Sequence, residues 1–192
     1  MRVKNSQEWL ETLKDAIDGV KCKTGNIRAS FNDTADEIKK LFKAAIIHKH
    51  SIFWVGNGGS AAICSHLSQD IMNKLGIKSY CFNDPSLMTC MTNDYGYKNV
   101  YARPLALYAS ENDILIAISS SGNSENILNA VEAANKKNMR IITLSGFKGD
   151  NKLWNSKSDT SFLIISDLFG IVEVSHEALL HGVIETLWLE IM

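Results

Sequence analysis

The sequence predicts an α/β fold: a doubly wound, five-stranded parallel sheet flanked by helices and preceded by two further helices. Three observations carry that expectation. Short, continuous apolar runs occur at 51–55, 78–82, 113–118, 139–145 and 160–165, the pattern of strands buried on both faces. Helical periodicity fills most of the gaps, at 60–74, 86–93 with 98–109, and 124–137, and such alternation marks βαβ units. Glycine- and serine-rich segments follow two of the runs and open the next helices, at the strand ends where open parallel sheets bind ligands.

Taken in chain order, the first helical pattern covers 7–24, with Trp9, Leu10, Leu13 and Ile17 on one face. The second covers 31–49, with Ala35, Ile38, Leu41, Phe42 and Ala45. Such leading helices pack on a sheet or build a subunit interface. Ser-Ile-Phe-Trp-Val at 51–55 is the first strand, and Asp-Ile-Leu-Ile-Ala-Ile at 113–118 the third. The run at 139–145 and Thr-Ser-Phe-Leu-Ile-Ile at 160–165 complete the sheet, and a last helix runs from about 170 to the end. Pro85 and Pro104 are the only prolines, and no repeat or linker interrupts the pattern. Residues 1–192 are therefore expected to form a single domain.

Composition narrows the function classes. The formal net charge is −1 and the basic residues are scattered, so no nucleic-acid partner is expected from bulk charge. No apolar segment follows the first charged residues as in a signal peptide, and runs such as Ile114–Ile118 are too short for a bilayer. A cytoplasmic protein without membrane contact is expected. Cys22, Cys64, Cys81 and Cys90 show no CxxC spacing, which suits reduced thiols and gives no cysteine metal site.

Two loops carry the chemistry. After the first strand comes Gly56-Asn57-Gly58-Gly59-Ser60, where missing Cβ atoms let the backbone press against a ligand. Alone it reads equally as a tight turn with a serine cap, and it is neither a P-loop nor a dinucleotide fingerprint. After the third strand comes Ser119-Ser120-Ser121-Gly122-Asn123-Ser124, whose hydroxyls and free amides at a helix start can hold a dianionic phosphate. Alone it reads equally as a capped polar loop. Two such loops on one sheet point to a phosphorylated ligand.

The histidines add a second cluster. His66 and Asp70 stand four apart on the helix after the glycine loop and share a face. Glu173 and His181, eight apart on the last helix, also share one. Two imidazoles and two carboxylates suit Zn²⁺ or a similar divalent ion, although spacing alone favours two exposed histidine–carboxylate pairs. His48 and His50 read as surface residues, and Trp54 and Trp188 as core or interface.

The succession Gly-Asn-Gly-Gly-Ser, Asn93-Asp94-Tyr95-Gly96 and Ile118-Ser119-Ser120-Ser121-Gly122-Asn123-Ser124 resembles the phosphoheptose (sedoheptulose 7-phosphate) isomerases of the sugar isomerase (SIS) family, over nearly the whole chain. The resemblance implies the SIS fold, with phosphate held by Ser119, Ser121 and Ser124. It implies a sugar site lined by Asn57, Gly58, Gly59, Asn93 and Asp94, with Ser60, Ser120 and Glu173 also assigned to substrate. The family's metal-binding members carry His-x3-Glu and Gln-x7-His, so His66, Asp70, Glu173 and His181 are the implied ligands of one metal per subunit. Here Asp70 stands for Glu and Glu173 for Gln. Asp70 and His181 are the implied acid–base pair of an aldose–ketose isomerase that works through an enediol(ate). A homotetramer, with heptose destined for lipopolysaccharide or capsule, follows from the same resemblance. The rival reading is a non-catalytic SIS module that binds sugar phosphate or a protein such as a replication initiator. A relative of that kind lacks the last-helix histidine, and His181 favours the enzyme.

Overall fold

The computed structural model describes residues 3–192. Helix α1 (Ser6–Asp18) starts at Asn5, whose side chain accepts from the Glu8 amide, and stops at Gly19. The helix predicted over 7–24 is therefore shorter than expected, because the chain turns into a hairpin, β1 (Lys21–Thr24) and β2 (Ile27–Ala29). In β1 Lys21 is exposed and Cys22 buried, while Lys23 and Thr24 are half-buried. Helix α2 (Phe31–His48) opens with a capping box between Ser30 and Asp33.

The rest follows the predicted order: β3 (Ile52–Val55), α3 (Gly59–Leu75), β4 (Ser79–Cys81), α4 (Pro85–Tyr95), a 3₁₀ turn (Tyr97–Asn99), α5 (Ala102–Tyr108), β5 (Ile114–Ser119), α6 (Glu125–Lys136), β6 (Arg140–Gly146), β7 (Thr160–Ile164) and α7 (Phe169–Ile191). The sheet order is β2-β1-β7-β6-β5-β3-β4. The five predicted strands pair in parallel, and the hairpin extends them to seven, with β1 antiparallel to β7.

Apolar residues on both faces of the central strands β3 and β5 explain the two cores. Ile52 and Trp54 of β3 and Ile114, Ile116 and Ile118 of β5 face α2, α3 and α7. Phe53, Val55, Leu115 and Ala117 face α5 and α6. Trp54 is fully buried and donates its indole N–H to Ser79 Oγ at 2.8 Å, whereas Trp188 is half-buried. All four cysteines are free. Among the described residues no helix is long and apolar enough to cross a membrane.

Strand order fixes where a ligand can sit. From β3 the chain moves outward to β4, then returns to lay β5 on the opposite side of β3. The loops after β3 and β5 therefore diverge at a switch point, and a crevice opens between them at the carboxyl ends of the strands.

Candidate active site

The two loops flanking that crevice are the glycine and serine loops. Gly58 has φ 54° and ψ −123°, a conformation essentially restricted to glycine. Gly59 lies so close to α7 that a Cβ there would stand 2.5 Å from the Glu173 carboxylate. Behind them Tyr101 donates its hydroxyl to the Gly56 carbonyl. The Asn57 amide is fixed from two sides. It exchanges hydrogen bonds with Asn126, donating at 3.0 Å and accepting at 2.8 Å, and accepts from the Tyr97 hydroxyl at 2.9 Å. Ser60 is buried in the first turn of α3.

The serine loop is also built from within. Ser119 Oγ accepts from the Gly122 amide at 3.2 Å and donates to Ser124 Oγ at 3.3 Å. Ser121 Oγ accepts from the Asn123 amide at 3.2 Å. Two features leave polar capacity for a ligand. Ser120 Oγ is buried without a protein partner, a state that costs free energy unless something else satisfies it. Ser124 stands at the N-cap of α6 without a side-chain cap bond, so the helix amides beyond it keep their affinity for an anion.

Asn93 and Asp94 lie on the last turn of α4 and are exposed. Asn93 donates to Asp94 at 2.9 Å, and Asp94 accepts from the Cys90 thiol at 3.6 Å; its charge pushes that thiol's pKa up. The hydrogen bond from this region to the glycine loop is made by Tyr97.

The second cluster lies between α3 and α7. His66, Asp70 and His181 each offer a ligand atom, all within 4.8 Å of one another. His181 Nδ1 stands 3.6 Å from Asp70 Oδ2, and the two imidazole centroids are 5.2 Å apart. Asp70 is 7% exposed, whereas His66 is open to solvent. Two nitrogens and one carboxylate oxygen are the usual three protein ligands of a catalytic zinc with an open fourth position, so the residues fit such an ion. Glu173 is outside this group. It precedes His181 by eight residues, about 12 Å of helix rise, and its carboxylate lies against Gly59 instead. Asp70 is instead held in an ion pair, Lys74 Nζ to Asp70 Oδ2 at 2.9 Å.

His176, on the inner face of α7, is fully buried with Nε2 2.9 Å from the Ser145 carbonyl. Burial lowers its pKa to about 4, so it is a neutral core residue whose Nε2–H donates. Sequence reading passed over Asn126, Tyr97, Tyr101 and Lys74. Helical spacing from Asp70 was signal enough for Lys74, whereas the others act through long-range contacts that no local pattern announces.

A seven-stranded sheet with its crevice at the β3/β5 switch point, a serine loop on one side and a glycine loop on the other, defines a SIS domain. The chain belongs to the SIS domain family, whose profile matches residues 20–146. Within that family, the relatives it is similar to are phosphoheptose isomerases. It is 35% identical over 144 residues to the phosphoheptose isomerase of Photorhabdus laumondii, covering 64% of this chain and 75% of that one. It is 36% identical over 125 residues to that of Sodalis glossinidius, covering 62% of each, so the match spans under two thirds of that relative's length. The solved phosphoheptose isomerase of Neisseria gonorrhoeae superposes with a TM-score of 0.80 at 24% identity over 94% of this chain and 93% of that one, a likeness of fold.

Proposed function

We propose that the chain is a sugar-phosphate isomerase that converts sedoheptulose 7-phosphate to D-glycero-D-manno-heptose 7-phosphate. The observation that carries the reading is the close grouping of Asp70 and His181 with His66. Ketose–aldose interconversion moves a proton between C1 and C2 through an enediol(ate) and needs a second group for the protons on O1 and O2. Asp70 is the base at carbon. His181, 3.6 Å from it, handles the oxygen-bound protons. His66, Asp70 and His181 would hold a divalent ion, which when bound would polarise the carbonyl and balance developing negative charge.

The phosphate belongs at the serine loop, where Ser119, Ser121 and Ser124 surround the uncapped start of α6 and Ser120 Oγ has spare hydrogen-bonding capacity. Asn57, held by Asn126 and Tyr97, orients toward sugar hydroxyls, with Gly58, Gly59 and Ser60 beside it and Asn93 and Asp94 at the rim. Glu173, pressed on Gly59, contributes an acceptor to the sugar side rather than a metal ligand. The enzyme works in the cytoplasm as a homotetramer, and solvent-exposed Leu107, Tyr108, Tyr80 and Leu10 suit burial between subunits. Light scattering that gives a monomer mass at all dilutions would remove the tetramer.

Incubating the purified protein with sedoheptulose 7-phosphate and following the sugars by NMR tests the reaction. Appearance of the aldose phosphate, lost in His181→Ala, is the expected result. An unchanged ketose spectrum with intact binding would leave a sugar-phosphate-binding module.

A further inference from the structure

Lys74 lies one turn beyond Asp70 on α3, and two carboxylates share its ammonium. Nζ stands 2.9 Å from Asp70 Oδ2 and 2.9 Å from Glu185 Oε1 on α7. The lysine side chain is 19% exposed, and Nζ lies 5.8 Å from the Trp188 ring centroid. Asp70 is nearly buried, so the Lys74–Asp70 bond is screened far less than a surface pair. That same Oδ2 faces His181 Nδ1. One carboxylate oxygen thus serves the Lys74 ammonium on one side and faces the His181 imidazole on the other. With both imidazoles neutral, two carboxylates face one ammonium, leaving one net negative charge.

A divalent ion taken up by His66, Asp70 and His181 would meet a positive charge already bound to its only anionic ligand. Like charges a few ångströms apart in a partly desolvated site repel strongly. Glu185 offers a way out that needs no change of fold: it is exposed and already within hydrogen-bond distance of Nζ. We propose that Lys74 is a resident counter-ion that competes with a divalent cation for Asp70 Oδ2, and that Glu185 keeps the ammonium when the cation takes the oxygen. The proposal rests on reading His66, Asp70 and His181 as a metal site. Its consequence is a metal held more loosely than those three ligands alone would hold it, with Asp70 never left unpaired when the metal leaves.

The test is a competition titration of the full chain with zinc against a chromophoric chelator, read as affinity and not as turnover. Lys74→Met keeps an unbranched side chain of similar reach and removes the charge; it should raise zinc affinity at least about tenfold, the scale of one like charge removed from a few ångströms away. Lys74→Arg keeps the charge and should stay near wild type. Glu185→Gln should weaken zinc binding, and the effect should vanish in the Lys74→Met background, since an acceptor matters only when there is an ammonium to accept. Equal affinity in wild type and Lys74→Met, with His66→Ala weaker than both, overturns the counter-ion and leaves the metal site standing. An equal Glu185→Gln effect in both backgrounds overturns the hand-over to Glu185. Absence of binding in wild type and Lys74→Met alike, or binding untouched by His66→Ala, overturns the metal site itself. Binding in Lys74→Met alone is the proposal in its extreme form.

Discussion

Acidification should destabilise this protein through His176. The imidazole is fully buried, donates from Nε2 to the Ser145 carbonyl at 2.9 Å, and has no partner for Nδ1. A second proton would therefore place an unpaired donor and a charge in the core. Burial lowers the pKa from 6.5 to about 4, the Ser145 bond opposing only part of the shift. The unfolded chain takes up the proton near pH 6.5, while the folded chain resists until about pH 4. Protonation thus favours unfolding as pH falls through that window. The contribution is complete above pH 6.5 and gone below about 4, and the depression amounts to about 3 kcal/mol. Urea unfolding between pH 4 and 8 reads it directly. Carboxylates titrate in the same range, so the quantity to compare is the slope of wild type against His176→Gln, which fills the site without a titrating group. The wild-type slope should exceed the variant's by up to about 1.4 kcal/mol per pH unit, one proton's worth. Identical slopes would show that His176 is not held neutral by the core.

Three further outcomes follow from the site. Ser121→Ala and Ser124→Ala should each weaken sugar-phosphate binding by about 1–3 kcal/mol, as for one charge-assisted hydrogen bond, with the melting temperature little changed; calorimetry giving wild-type affinity in both would remove the serine loop from the phosphate. His181→Ala should abolish turnover and keep phosphate binding, so normal turnover in that variant defeats the acid–base assignment. Gly59→Ala puts a Cβ 2.5 Å from the Glu173 carboxylate, a flexible group that can swing aside, so activity should fall while thermal stability holds. A variant with full activity would free Glu173 from any role at the sugar.

Much of the fold was legible because both faces of the central parallel strands are covered. Ile-Phe-Trp-Val and Ile-Leu-Ile-Ala-Ile read as buried strands without further information. The hairpin was not legible: Lys-Cys-Lys-Thr buries one side chain, too little to break the helical pattern running into it from α1. Strand order was also hidden, and with it the fact that the loops after β3 and β5 flank one crevice. At the site, helical spacing put His66 and Asp70 on one face of α3 but by itself read as an exposed pair; the resemblance added His181, and only the packing of α3 on α7 brings the three together. Glu173 shares a face of α7 with His181, but the rise of the helix carries it to the other end of the site. Asn126 and Tyr97 matter through Asn57, and only tertiary contact reveals such partners.

The antiparallel pairing of β1 with β7 has a consequence for how the protein is made. The hairpin, with Ile27 and Arg28 exposed, leaves the ribosome before β7, the strand it docks on and the last of the sheet to be synthesised. Helix α1 waits in the same way for α7, against which it packs. The N-terminal segment therefore cannot find its place until the last helix has emerged, and the loop it must close is nearly the whole chain. The parallel core, whose strands lie closer in sequence, can consolidate first. The hairpin then closes over the edge of β7, which until that moment stays open to another chain.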